Sequence, residues 1–308
     1  MLLDVLIPSN GQLSKLQSLL ESISWQTLQP DRVLILIHKP LKKEEQETLL
    51  YFLQRSVHPE LSERIVLLTN LTAEYEPWKW VAHDRNVLLA HAKAKFVWMI
   101  DHDNVFKSTL FAQMATFWMQ RKEEFASPVV CSPTILWRQT QKIQSQWITW
   151  FSYLIPKFRY KKMHRVERQK VLMVGWNSLF GLLETFQQFP FDTRFSRCYE
   201  DVDMTYRVQN AGIPVLVSNK IEINHMESTK NRLQTLFLWD VKTAYERARN
   251  RIWFVKKNAN LFEKVQYFCC GVRLQTLWFF WNVLVYGGKD RTKLMKAVWN
   301  GTRDGLMK

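Results

Sequence analysis

FVWMIDHDN, residues 96–104, is an apolar run that ends on two acids flanking a histidine. Five consecutive apolar residues rich in aromatic and β-branched side chains read as a buried strand of a parallel sheet. Side chains two apart on an extended chain share a face. Asp101 and Asp103 therefore aim at one point just beyond the strand's carboxyl end. Two hard oxygen ligands in that position suit Mg2+ or Mn2+ gripping a diphosphate, and a polar turn completed by Asn104 is the other reading.

The residues before this run repeat one pattern. Leu2–Ile7 reads as a strand, Ser9-Asn10-Gly11 as a turn, and Leu13, Leu16, Leu20 and Ile23 recur at helical spacing. Val33–Ile37 and Ile65–Leu68 are further strands around a Glu-rich helix near residues 43–56, and a helix near 79–93 leads into Phe96. Strands alternating with helices predict βαβ units, a parallel sheet and a site at the strand carboxyl ends.

After residue 105 the periodicity changes. Val129–Ile135 reads as a strand, and Gln139–Ile155 as a helix stopped by Pro156. Lys157–Lys170 carries seven basic residues and one acid, as a solvated loop or a mobile arm would. Short strands at Val171–Gly175 and Leu179–Leu183 precede an aromatic stretch. A helix from Glu200 to Asn210 then ends at Ala211-Gly212, with Pro214 beyond. Strands at Val215–Val217 and Ile221–Ile223 follow, and from Arg232 the pattern is helical. The expected division is a first domain over residues 1–228, with halves 1–105 and 106–228, and a basic, aromatic helical tail over 229–308.

With 308 residues and 36.9 kDa, the chain makes one large domain or two small ones. Hydrophobic residues at 47% and charged residues at 23% match a soluble enzyme rather than a disordered chain. Four cysteines without a CxxC pair support neither a zinc ribbon nor a disulfide framework. Residues 1–150 hold 16 Lys and Arg against 15 Asp and Glu, whereas residues 151–308 hold 27 against 13. The net charge of +15 thus sits almost wholly in the second half, where six of the 14 Trp also lie. Basic residues with scattered Trp suit an anionic membrane face, and nucleic acid is the rival. No stretch of ~18 uninterrupted apolar residues marks a spanning helix; Leu274–Tyr286 comes closest. MLLDVLIPSN lacks the basic flank of a signal peptide. The expected location is therefore cytoplasmic, peripheral on the inner face of the cell membrane.

A second acidic cluster, Glu200-Asp201-Val202-Asp203, precedes Arg207. Acids in a first helical turn favour the helix dipole, and Asp203 with Arg207 forms an i,i+4 pair. That accounts for Asp203 but not for two adjacent acids after an aromatic stretch, where a general base would be sheltered from water. His225, after IEIN, reads as a metal ligand or as a satisfied polar residue at a strand end.

In order along residues 1–230, IPSN, SISWQTLQPDRVLIL, Arg85-Asn86, MIDHDN, GWNSLFGLLE, FDTRFSRCYEDVDMTYRVQNAG and the late histidine resemble the family 2 glycosyltransferases. The tail run RARNRIWFVKKN and the final WNGTRDGL also resemble helical tails of such enzymes. The resemblance is closest to bacterial members that build surface polysaccharides. It implies an inverting enzyme of the GT-A fold, an α/β mixed sheet flanked by helices with a C-terminal helical extension. It further implies transfer of a sugar from a nucleotide-diphosphate donor to a saccharide acceptor, typically lipid-linked.

By position, Asp101 and Asp103 resemble the DxD motif and His225 a third ligand for Mn2+ or Mg2+. Asp201 resembles the general base, supported by Glu200 and Arg207. Pro8, Ser9 and Asn10 resemble the lining of the nucleotide pocket, Arg85 the contact to the donor phosphates, and Trp176 the acceptor platform. One departure stands out. Where the family often ends its second strand on an Asp that reads the base, this chain has Ile37-His38-Lys39-Pro40. Glu74 or Asp84 would have to substitute, and the base is left open. The tail implies an anionic membrane surface or a homodimer partner. Nucleic-acid binding finds no module to support it. A non-catalytic carbohydrate-binding relative sits badly with intact DxD and ED motifs, and a nucleotidyltransferase with the lack of a Gly-rich phosphate loop.

Overall fold

A computed structural model describes residues 1–38, 41–55, 57–69, 80–141, 178–195, 198–226, 238 and 240–307, with five two-residue strands between 147 and 174. Trp176, Glu74, most of the basic run 157–170 and the expected boundary at 228–229 lie outside the described residues.

The first hundred residues run β1 (Leu3–Ser9), α1 (Leu13–Ser24), β2 (Arg32–Ile37), α2 (Lys43–Arg55), α3 (Pro59–Ser62), β3 (Ile65–Thr69), α4 (Trp80–His91) and β4 (Phe96–Ile100). These four strands pair in parallel in the order β3-β2-β1-β4, as the alternation of strands and helices requires. Strand β1 shows why the sheet is buried on both faces. Leu3, Val5 and Ile7 pack with Leu16, Leu19 and Leu20 of α1, while Leu6 joins Leu88 and Leu89 of α4 in a second cluster. Asp4 breaks this apolar run at full burial. Its carboxylate pairs with Arg32 and accepts the backbone N–H of Lys93 at 2.7 Å and Ala94 at 3.0 Å, so it ties the start of β1 to the turn before β4.

The chain continues through β5 (Asn104–Val105), α5 (Leu110–Phe125) and β6 (Val130–Trp137) to the short strands β7 (Trp147–Ile148), β8 (Trp150–Phe151), β9 (Phe158–Arg159), β10 (Gln169–Lys170) and β11 (Met173–Val174). It then forms β12 (Ser178–Leu182), α6 (Leu183–Gln188), α7 (Glu200–Asn210) and β13 (Val215–His225). Here the sheet turns mixed, because β12 enters antiparallel to both β4 and β6. The full order is β10-β13-β6-β12-β4-β1-β2-β3, with β5 added against β13.

Two sequence expectations change. The helix over Gln139–Ile155 is replaced at its far end by β7 and β8. The run WITWF consists of residues that favour a pleated, half-buried surface over a helix. The two strands expected at 215–217 and 221–223 are one strand with a register shift between Val217 and Glu222.

The C-terminal helices are α8 (Val241–Asn258), α9 (Leu261–Tyr286, with a π-helical turn at Tyr267–Gly271) and α10 (Arg291–Met307). Asp240 caps α8 by accepting from the N–H of Lys242 and Thr243. Fully buried Arg251 ties the three helices together. Its guanidinium donates to Thr276 on α9 at 2.6 Å and to Thr302 on α10 at 3.0 Å, and lies 4.9 Å from the Phe279 ring centre. Burial lowers its pKa.

Helix α10 lies against α8 through its glycines. A Cβ on Gly301 would stand 2.2 Å from the carbonyl oxygen of Tyr245, a backbone atom that cannot turn aside. Gly301→Ala should therefore push the helices apart at a cost on the order of 1–3 kcal/mol. A fall in melting temperature should report it, while Lys296→Ala on the exposed side of α10 should leave the melting temperature unchanged.

Candidate active site

Strand β4 ends where the chain must turn, and Asp101-His102-Asp103 forms that turn with Asn104 donating to the Asp101 carbonyl at 3.0 Å. All four side chains are buried. Asp101 and Asp103 nevertheless have different partners. Asp101 accepts from Arg85 of α4 at 3.2 Å. Asp103 Oδ2 lies 3.1 Å from Nε2 of His225, which the β5–β13 pairing brings opposite Asn104. Lys15 stands 4.0 Å from the same oxygen. Asp103 Oδ1 is buried with no hydrogen-bond partner among the described residues.

Arg85 joins the two acidic motifs. Its guanidinium also stands 3.5 Å from Glu200 at the start of α7, over the Phe191 ring at 5.3 Å. The backbone of Tyr199, just before Glu200, sits in the left-handed region at φ 79°, an unusual conformation for a tyrosine and one that aims the following two acids inward. Asp201 is buried beside Glu200, and its carboxylate accepts the N–H of Val202 at 2.7 Å. Asp203 turns the other way. It accepts from Arg207 at 2.9 Å, from Lys257 at 2.8 Å and from Asn258 at 2.8 Å, the last two on α8. Asn250, also on α8, donates to the carbonyl of Cys198 at 2.9 Å.

The electrostatics follow from this packing. Burial, together with the neighbouring Asp201, pushes Glu200 up to about 8 against the opposing pull of Arg85. Burial also lifts Asp101 to about 6, again opposed by Arg85 and aided by Asp103. Burial acts upward on Asp103 too, but its contact with His225 and the charges nearby hold it down at about 2. For Arg85, burial works against the charge, yet Asp101, Glu200 and Asp201 more than offset it and raise the pKa.

The remaining expected residues fall into place unevenly. Pro8, Arg85, Asp101, Ser178 and Phe191 line one narrow cavity, so the end of β1 meets the acidic cluster. Ser9 accepts from the Gly11 N–H and Asn10 from the Gln12 N–H, shaping the turn into α1. Arg207 is engaged by Asp203 and the carbonyl of Pro190. At the end of β2, His38 Nδ1 lies 3.0 Å from fully buried Asp84, one of the two candidate substitutes for the missing acid. Sequence reading passed over the grip of Asn250, Lys257 and Asn258 on α7. Its only trace is the polar pair Lys257-Asn258 closing a helix that is otherwise amphipathic. Among the described residues, no three His, Cys, Asp or Glu side chains are grouped to hold an ion.

No family model matches this chain, and no curated protein matches it by sequence. Solved structures do. S. aureus TarS 1-349 in complex with UDP-GlcNAc aligns over 98% of this chain and 80% of its own, at a TM-score of 0.57 and 13% identity. S. aureus TarS 1-349 in complex with UDP aligns over 99% and 89%, at 0.54 and 14%. The chain covers 55% of the longer S. aureus TarS structure, at 0.51 and 14%. The likeness is one of fold, and the mixed sheet flanked by helices with a C-terminal helical segment is the GT-A-like fold.

The raised Glu200 makes stability depend on pH. A carboxyl that is protonated more readily in the folded chain binds more protons there than when unfolded. Its contribution is present below pH 4.5 and lost as pH rises towards about 8. Glu200→Gln cannot ionise. Its melting temperature relative to wild type should therefore rise from pH 5 to pH 8, and thermal denaturation at the two pH values reads the difference.

Proposed function

We propose that this protein is an inverting glycosyltransferase that moves a sugar from a nucleotide-diphosphate donor to a hydroxyl of a saccharide acceptor. The observation that carries this reading is the buried pairing of Arg85 with both Asp101 and Glu200, at the carboxyl edge of β4 and beside Asp201. The cluster joins the two acidic motifs in a fold like that of TarS bound to UDP-GlcNAc. A UDP-sugar is accordingly the first donor to test.

In this reaction Asp201 takes the proton from the acceptor hydroxyl as its oxygen attacks the anomeric carbon. The new C–O bond forms as the bond from that carbon to the diphosphate breaks, and the electron pair leaves on the nucleoside diphosphate. Attack from the opposite side inverts the anomeric centre. Glu200, held near neutrality by its pKa of about 8, stands next to Asp201 and limits the number of charges crowded there. Arg85 keeps the donor side and the acceptor side of the site in register. The acceptor is a glycan, lipid-linked in the fullest version of this proposal.

A divalent ion at this cluster would have two protein ligands rather than the expected three, because Arg85 engages Asp101. The unpartnered, buried Asp103 Oδ1 and the imidazole of His225 are a carboxylate and nitrogen pair of the kind Mn2+ accepts. Asp103 and His225 would hold such an ion, with Asp101 engaged by Arg85, and it would supply positive charge to a departing diphosphate.

The roles separate by mutation. Asp201→Asn should lower transfer by ~10²-fold to 10⁴-fold while leaving the donor-induced thermal shift in place. Asp103→Ala should remove the Mn2+-dependent part of that shift. A panel of UDP, dTDP and GDP sugars, each with and without Mn2+, scores both variants. Loss of donor binding in Asp201→Asn would remove the residue from the role of base. Release of pyrophosphate instead of a nucleoside diphosphate would mark a nucleotidyltransferase.

A further inference from the structure

Helix α9 carries its polarity the wrong way round for a helix resting on a protein body in water. Gln275, Thr276 and Asn282 are buried against the rest of the tail, with Phe279 and Val283. Facing out at three- and four-residue steps are Leu274, Leu277, Trp278, Trp281 and Leu284, and Leu277 and Trp281 are each 63% exposed. Phe262, in the first turn, extends the stripe at 70% exposure. An amphipathic surface helix normally shows the opposite arrangement. A contiguous apolar and aromatic stripe of this length marks a contact surface.

By length and composition Leu261–Tyr286 is able to cross a membrane, but 39% of its most apolar stretch is buried within the protein. Phe279 and Val283 share an apolar cluster with Leu294 and Val298 of α10, and Thr276 receives the buried Arg251. The helix is therefore held lengthwise on the body, with one side free.

We propose that this free side of α9 docks in the plane of an anionic lipid surface, with the indoles of Trp278 and Trp281 at headgroup depth. Charge favours lipid over a second copy of the chain. Residues 261–308 hold eight Lys and Arg against three Asp and Glu, a difference of +5. Arg273, Lys289, Arg291, Lys293 and Lys296 are all exposed in and after the stripe. A two-fold interface would set this cationic rim against itself, whereas anionic headgroups neutralise it. The inference concerns where the protein sits and stands independently of the proposed transfer reaction.

Co-sedimentation of the full chain with vesicles tests it, without donor or acceptor. Wild type should bind phosphatidylcholine–phosphatidylglycerol vesicles more tightly than phosphatidylcholine alone and release at high salt. The double variant Leu277→Glu, Trp281→Glu should bind at least tenfold more weakly, with an unchanged melting temperature. Lys289→Glu with Lys293→Glu leaves the apolar stripe intact and should lose the preference for anionic vesicles. Equal binding by wild type and both double variants overturns the proposal. So does absence of binding, whether the chain sediments as a monomer or as a dimer that the Leu277 and Trp281 substitutions dissolve.

Discussion

The structure turns on one buried cation. Arg85 is 4% exposed and stands within 3.5 Å of both Asp101 and Glu200. Without its charge the carboxylates of Asp101, Glu200 and Asp201 would face one another in a space from which water is excluded. Each buried ion then costs several kcal/mol that nothing repays. Arg85 does not cancel this fully, and the result is visible in Glu200, which stays well above the ordinary carboxylate range. The cluster is thus poised with one of its acids near the protonated state. Beside Asp201, that carboxyl adds little charge of its own.

The local signals in the sequence were sound for the strand and the helix that carry the two acidic motifs. FVWMI ends where a strand ends, so its acids had to lie at the sheet's carboxyl edge. EDVD opens a helix, so its acids had to share a first turn. Family resemblance tied these motifs to donor and acceptor, but the link between them was not legible. Arg85 pairs with residues 16 and 115 positions away, and no periodicity reports such a partner. The antiparallel entry of β12 was hidden for the same reason, since one strand reads alike in either direction. Asp4, an acid inside an apolar strand, owes its place to the distant backbone N–H groups it accepts, which no local pattern reports. The segment 139–155 misled because aromatic residues spaced along it satisfy a helical count as readily as a strand.

The tail is part of the site's support. Lys257 and Asn258 hold Asp203, and Asn250 holds the Cys198 carbonyl, so α8 fixes the entry to α7 from behind. The unusual φ of Tyr199 lies between these two anchors, where a strained backbone needs its surroundings to over-determine it. The tail run RARNRIWFVKKN contributes three of its polar residues to this one task, and Arg251 from the same run pins α9 and α10 behind it.

Helix α7 therefore divides its first turn between two duties. Glu200 and Asp201 face the acidic cluster, and Asp203, two residues on, faces the tail. Removing the tail would take from Asp203 two of its three partners, together with the helix that packs against this turn. The first turn of α7 would then lose its anchors on that side, and Glu200 and Asp201 belong to the same turn. The same helices that offer a free apolar side at α9 thus hold α7 in place through α8. A lipid surface that captured α9 would bear on helices that reach α7 through Arg251 and α8.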